Sequence, residues 1–114
     1  MPVVGADTHQ TLSGISAGKP DIIEEAIGLR ELGREASGLD ARTYGLVVIA
    51  SLIALDAPPA SYAFQVANAI EDGVTPEEIL GVLRAVAIQV GGPKVVAAAP
   101  EIMLALGLAI DEQG

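Results

Sequence analysis

The sequence predicts an all-α domain, a compact bundle of five to six helices. Capping signals at Asp40 and Thr75 mark two helix starts. Glycine and proline divide the chain into segments of helix length, and apolar residues recur at helical spacing within them. No strand pattern competes, so the expected secondary structure is helical throughout.

Residues 1–17 are predicted to form a flexible N-terminal arm, and residues 18–114 the helical domain. The arm is rich in Gly, Ser, Thr and Asp and shows no sustained periodicity. His9, the only histidine, lies in it. His9 is either a base donated across an oligomer interface or a solvated residue of a mobile tail. The second interpretation is favoured, because chain termini are poorly ordered unless they are tied down.

The first predicted helix begins near Pro20 and Asp21 and stops at Gly38. Proline suits the first helical position, and the acidic residues that follow favour the positive end of the helix dipole. Asp40 then caps a second helix that runs to about Asp56 and is apolar on nearly every side. A helix without a polar face is expected at the centre of the domain.

Two prolines, Pro58 and Pro59, end the second helix and begin a third over roughly residues 59–72, which Gly73 closes. The segment Thr75-Pro76-Glu77-Glu78 is the clearest local signal in the chain. It has a capping threonine, a proline in the first turn and a glutamate three residues after the cap, which together form a capping box.

The fourth helix is expected to continue to the break at Gly91-Gly92-Pro93. A last helical region should extend from Pro93 to about Asp111. Pro100 lies inside this region and is expected to kink or split it, because proline removes a helical hydrogen bond and clashes with the preceding turn.

Composition favours a small protein that associates with copies of itself. The 114 residues allow one domain, and 51% of them are hydrophobic. Tyr44, Tyr62 and Phe64 are the only aromatic residues, so the apolar content is mostly Ala, Val, Ile and Leu. A domain of this size cannot hide all of that surface. The sequence therefore predicts a homo-oligomer.

Charge and residue usage exclude several functions. A formal charge of −9 argues against nucleic acid or an anionic membrane as partner. There is no cysteine, so disulfides and thiolate chemistry are excluded, and one histidine makes a metal site unexpected. The longest uncharged apolar run, residues 43–55, is shorter than the ~20 residues of a membrane span. Without a signal-peptide pattern, the expected location is the cytoplasm.

Three motifs in fixed order resemble the carboxymuconolactone decarboxylase family, which includes alkylhydroperoxidase D-like proteins. They are Gly38–Thr43 (GLDART), Gly73–Ile79 (GVTPEEI) and Gly91–Pro93 (GGP). The resemblance covers about residues 39–99. It implies an alkylhydroperoxidase D-like helical protomer that assembles into trimers or hexamers, with a pocket near the helix before Gly73.

The residues that would carry the family's chemistry are replaced. The peroxidase-like branch has a Cys-x-x-Cys-x-x-x-His pattern on that helix, and here Pro58, Ser61 and Gln65 stand at those positions. A glutamate of the preceding helix is replaced near Gly45. Thiol peroxidase activity needs a thiolate and is excluded. The decarboxylase-like branch keeps the histidine, and Gln65 cannot titrate. Any decarboxylase mechanism must therefore use other groups.

The candidate catalytic residues are Ser61 and Gln65, which are four apart and so share one helix face. They either contact a substrate in a pocket or are simply polar residues of a partly wet helix. A serine nucleophile is disfavoured because no adjacent base is visible. Candidate ligand-binding residues are Tyr62, Gln89 and Arg42. Each also has a structural interpretation, namely packing for Tyr62, an interface for Gln89 and an ion pair with Asp40 or Glu35 for Arg42.

The sequence thus predicts a carboxymuconolactone decarboxylase-like protein that uses no cofactor and no metal and binds a small organic acid or lactone. Whether it is an enzyme stays open at this point. Catalysis, if retained, would be a lyase-type decarboxylation or an isomerisation. The alternative is a non-catalytic binding or assembly module that has lost the family's redox and proton-transfer residues.

Overall fold

The computed structural model describes residues 3–19, 21–22 and 29–108. Across these residues the secondary structure is helical, with no strand, which confirms the all-α prediction. The helices are α1 (Ala6–Ser16), α2 (Leu29–Ser37), α3 (Ala41–Leu55), α4 (Pro59–Glu71), α5 (Pro76–Val90) and α6 (Gly92–Ala105). Asp21 and Ile22 are also helical, whereas Pro20 and residues 23–28 of the first predicted helix lie outside the described residues.

Helix α3 lies at the centre of the bundle, as its all-round apolar sequence predicts. It packs against α2, α4, α5 and α6, and α6 in turn contacts both α4 and α5. The α3–α6 pair therefore separates α4 from α5. The core is built mainly from β-branched and small side chains, with one tyrosine: Ile49, Leu52, Ile53, Tyr62, Val66, Ala69, Val74, Ile79, Ala98 and Ile102. None of the described helices has the length and apolarity that crossing a bilayer requires.

Both predicted N-terminal caps form. The Thr43 amide donates to Asp40 Oδ1 at 2.7 Å, and this hydrogen bond is the main reason why the pKa of Asp40 is lowered. The Glu78 amide donates to Thr75 Oγ1 at 3.2 Å, and the Thr75 amide donates to Glu78 Oε1 at 3.0 Å, which completes the capping box. The other carboxylate oxygen of Glu78 pairs with Arg42 and so ties the start of α5 to the start of α3.

Four helices end in the same hydrogen-bond pattern, in which a residue with positive φ follows the last turn. These residues are Gly18 after α1, Asp56 after α3, Gly73 after α4 and Gly107 after α6. In each case the next amide reaches back five residues: Lys19 to Gly14, Ala57 to Leu52, Val74 to Ala69 and Leu108 to Met103. This is the Schellman motif, which strongly favours glycine at the positive-φ position. Asp56, at φ 55°, is the one case with a side chain among the described residues.

The N-terminal segment has more regular structure than the sequence predicts, because Ala6–Ser16 forms α1. Apolar periodicity is weak there, since most of α1 is exposed and only Gly14 is buried. What anchors its end is Gly18. A Cβ at Gly18 would lie 2.5 Å from the Ala60 carbonyl oxygen and 2.8 Å from Ala63 Cβ. The turn after α1 therefore rests directly on α4.

Pro100 is predicted to kink or split the last helix, and it does not split it, since α6 continues from Gly92 to Ala105. Packing explains the difference, because Ala98 and Ile102 on either side of Pro100 are both buried in the core. The energy of that burial holds the helix across the missing hydrogen bond. The helix ends earlier than predicted, at Ala105, with Gly107 as its stop. Residues 109–114 lie outside the described residues.

Replacing Asp56 with glycine is expected to stabilise the protein. A left-handed conformation costs most L-residues about 1 kcal/mol or more, less for aspartate, and the greater freedom of glycine in the unfolded chain offsets part of the gain. We expect the free energy of unfolding in urea to rise by a few tenths of a kcal/mol up to about 1 kcal/mol. Asp72→Gly is the control, because Asp72 has an ordinary φ of −83° and should show no gain. Equal effects of the two substitutions would contradict this account.

Candidate functional site

A stripe of polar residues runs along one side of α4. Ser61, Gln65, Asn68 and Asp72 are spaced by four, three and four residues, which places them on one face of the helix and its end. All four are half-buried. The Asn68 side chain donates to the Phe64 carbonyl at 3.1 Å and so folds back onto its own helix. Ser61 and Gln65 thus lie together on a partly covered face, as their spacing predicts.

Gln65 already has an interaction partner in the folded chain. An amide side chain offers two hydrogen-bond donors and two acceptor lone pairs. Ser61 adds a hydroxyl that can donate or accept. Neither group titrates near neutral pH, so this face can orient a bound molecule but cannot transfer a proton to it.

Tyr62 belongs to the core rather than to an open pocket. It is 2% exposed and packs within the central hydrophobic cluster. Burial raises the pKa of Tyr62 above its ordinary value of 10.0, and the nearby carboxylates of Asp56 and Glu101 raise it further. The phenol therefore stays protonated throughout the physiological range. Its hydroxyl group can donate a hydrogen bond, but the side chain is surrounded by residues of the hydrophobic core.

The other two candidate ligand-binding residues lie away from Ser61. Arg42 is at the first turn of α3, where it pairs with Glu78, and its charge also acts on the Asp40 carboxylate. The chain turns back after α3, so Arg42 is near the far end of α4 from Ser61. Gln89 is exposed on α5, which the α3–α6 pair separates from α4. The structure therefore does not bring Arg42 or Gln89 to Ser61.

Gly45 lies near the position where the family resemblance implies a glutamate. It is buried where α3 crosses α4, and a Cβ there would lie 3.3 Å from Ala69 Cβ and 3.6 Å from Val74 Cγ2. A Cβ at this position would require Ala69 to move by a few tenths of an ångström. The helices α3 and α4 are therefore closely packed at Gly45.

Two cavities are described, and neither has Ser61 or Gln65 among its described lining residues. The larger, about 780 Å³, is a polar groove along α1 that includes Asp7, His9 and Lys19. The smaller, about 200 Å³, lies between the turn after α1, the first turns of α4 and the end of α6. Glu101 lines it.

Glu101 is a residue that the sequence analysis missed. It lines the smaller cavity and contributes to the raised pKa of Tyr62. A signal for it exists in the sequence, because Glu101 is the only charged residue between Lys94 and Asp111. Burying a charge in an apolar helix is costly unless its site is partly open or the charge is paired. An isolated charge of this kind is therefore worth examining as a site residue.

The family is settled by comparison with known proteins. The model of the carboxymuconolactone decarboxylase family matches residues 20–102, which is most of the chain. The chain belongs to the carboxymuconolactone decarboxylase family. Its all-α architecture agrees with the alkylhydroperoxidase D-like fold that this family implies. No curated protein and no solved structure matches the chain significantly.

Removing the neighbouring carboxylates is expected to lower the pKa of Tyr62. In a Tyr44→Phe background, Asp56→Asn and Glu101→Gln should each lower it in a spectrophotometric titration of the remaining tyrosine. It should stay above the ordinary value of 10.0, since burial is the largest cause. Glu77→Gln, an exposed site on α5, is the control. A shift as large in Glu77→Gln would contradict the local effect.

The same raised pKa fixes the direction of a pH effect on stability. Above about pH 10 the unfolded tyrosine loses its proton while the folded one keeps it. The stabilising contribution of Tyr62 is therefore complete below pH 10 and is lost as pH rises through the folded-state pKa.

Placing a glutamate at Gly45 is expected to destabilise the fold severely. Gly45→Glu would bury an unpaired carboxylate against Ala69 and Val74, at a cost of more than about 3 kcal/mol in the free energy of unfolding. The control is Gly81→Glu on α5, where an added Cβ meets nothing within 4 Å. Urea unfolding of both variants checks this. A folded Gly45→Glu protein of normal stability would show that α3 and α4 can separate freely.

Proposed function

We propose that this protein binds a small lactone or a related neutral carbonyl compound on the Ser61–Gln65 face of α4, and that it does so as a homo-oligomer without a cofactor. The observation that carries the proposal is the placement of Ser61 and Gln65 together on a half-buried face of α4. By the family resemblance, these positions correspond to those of the reactive groups. The scaffold and the location of the site are retained, whereas the groups on it are exchanged.

The chemistry of the face favours a neutral ligand over a free acid. Ser61, Gln65 and Asn68 are uncharged, and Asp72 at the end of the stripe is acidic. The stripe itself contributes no cation, and Arg42 is engaged with Glu78. A carboxylate ligand would be desolvated without a counter-charge, which is costly. A lactone carbonyl needs only hydrogen-bond donors, and a hydroxyl and an amide supply them.

Any catalysis on this face would work through hydrogen bonds to a developing oxyanion. Isomerisation of a neutral lactone passes through an enolate when a proton is removed next to the carbonyl, and donors aimed at the enolate oxygen lower the barrier. Gln65 and Ser61 are the residues we assign to that role. A proton-transferring group would have to come from the substrate, from water or from another subunit, because neither residue titrates near pH 7.

Assembly is supported by apolar side chains on the outer faces of α5 and α6. Ile88 is 91% exposed and Val96 is 73% exposed, and Leu80 of α5 is exposed as well. Exposed apolar residues in such number favour contact with further copies of the chain. The same observation favours the second candidate function, a non-catalytic assembly module in which α4 serves only the fold.

A thermal-shift screen of small lactones and organic acids tests the proposal. A ligand that binds only the folded state stabilises it by about 2.7 kcal/mol at a hundredfold excess over the dissociation constant, so a true ligand raises Tm clearly. We expect neutral lactones to raise Tm more than the corresponding acids. We expect Gln65→Ala to remove most of that shift, with native mass measurement showing an oligomer in both proteins.

The matched control is Gln89→Ala, which removes the same amide from an exposed position on α5. The shift should persist in this variant. If no lactone raises Tm, or if the two alanine variants lose the shift equally, the ligand site is not on α4. An oligomer with no ligand response would then favour the assembly module.

A further inference from the structure

We infer that the 200 Å³ cavity is a second binding site, specific for a small apolar molecule that carries a positively charged ammonium group. It lies on a different side of α4 from Ser61 and Gln65. Ala60 and Ala63 line it, and at 3.6 residues per turn they lie roughly 150° around the helix from the Ser61–Gln65 pair. The site is therefore independent of the one proposed above.

The size and the walls of the cavity select the body of the ligand. Apart from Ser16 and Glu101, the described walls are Ala, Pro and Leu side chains, which suit a hydrocarbon group. An apolar cavity of about 150 Å³ holds a benzene ring. A volume of about 200 Å³ thus accommodates a benzene-sized group with one substituent.

The charges around the cavity select a cation. Glu101 lines it, and its influence on Tyr62, together with that of Asp56, shows that two carboxylates act at this end of the bundle. The last turns of α1 and α6 line the cavity as well, and a helix C-terminus carries about half a negative charge. The start of α4 contributes about half a positive charge. Glu101 is the one charged side chain among the described lining residues, and an ammonium on the ligand can pair with its carboxylate.

The cavity depends on residues outside the part of the chain that matches the family. The match covers residues 20–102, whereas Ser16, Ala17, Leu104 and Ala105 lie beyond its ends. The wall formed by Ser16 and Ala17 is held against α4 by the close contact of Gly18 with Ala60. The site therefore includes residues on both sides of the region that matches the family model.

Three probes of similar size test the inference: benzylammonium, benzyl alcohol and benzoate, with dissociation constants measured by calorimetry or ligand-observed NMR on the full chain. We expect benzylammonium to bind most tightly, benzyl alcohol at least tenfold more weakly, and benzoate not at all. Glu101→Gln should weaken benzylammonium at least tenfold and leave benzyl alcohol nearly unchanged, because only the charge is removed.

The matched control is Glu71→Gln, which changes the net charge by the same amount at the exposed far end of α4. It should leave all three affinities unchanged. Gly18→Ala, which forces the wall away from α4, should weaken benzylammonium and benzyl alcohol together, with circular dichroism confirming the helical fold. The inference is overturned if no probe binds, if benzoate binds as well as benzylammonium, or if the two glutamine variants behave alike.

Discussion

The burial of α3 is the constraint on which the rest of the structure depends. This helix has no continuous polar face, so its apolar surface must be covered by neighbours on several sides. Helices α2, α4, α5 and α6 provide that cover. Its side chains at the core are Ile49, Leu52 and Ile53, and Gly45 lets α4 approach closely. The other helices are arranged so that they bury much of the apolar surface of α3.

The same constraint limits the chemistry that the bundle can hold. Helices α3 and α4 pack closely at Gly45, where an added Cβ would lie 3.3 Å from Ala69 Cβ and 3.6 Å from Val74 Cγ2. Polar groups are left to the flank of α4, where Ser61 and Gln65 are half-buried, and to the end of the bundle, where Tyr62 is close to Asp56 and Glu101. Because the centre is packed with small aliphatic residues, the polar side chains that could bind a ligand lie at the edges of the bundle.

The helical elements could be predicted from the sequence because their signals are local. The caps at Asp40 and Thr75 and the stop at Gly73 depend on residues within four or five positions of each other. Two features could not be predicted, because distant contacts decide them. Helix α6 passes through Pro100 because its neighbours are buried, and Ala6–Ser16 is helical although its own sequence shows little periodicity.

The candidate site could be predicted only in part, because only its local features follow from the sequence. Helical spacing alone placed Ser61 and Gln65 on one face, and the structure agrees with that placement. Spacing says nothing about which helices are neighbours, so the pairing of Arg42 with Glu78 and the exposure of Gln89 could not be predicted. Glu101 lies more than 35 positions from Tyr62 along the chain, and only the packing of α6 on α4 brings them together.

The contact of Gly18 with α4 determines which surface a shortened fragment of the protein would expose. A fragment trimmed to the region that matches the family model would begin after this turn and end within α6. It would keep the Ser61–Gln65 face and expose the alanines that Gly18 now covers. Such a fragment would therefore present new apolar surface on α4, and its solubility and stability would differ from those of the full chain.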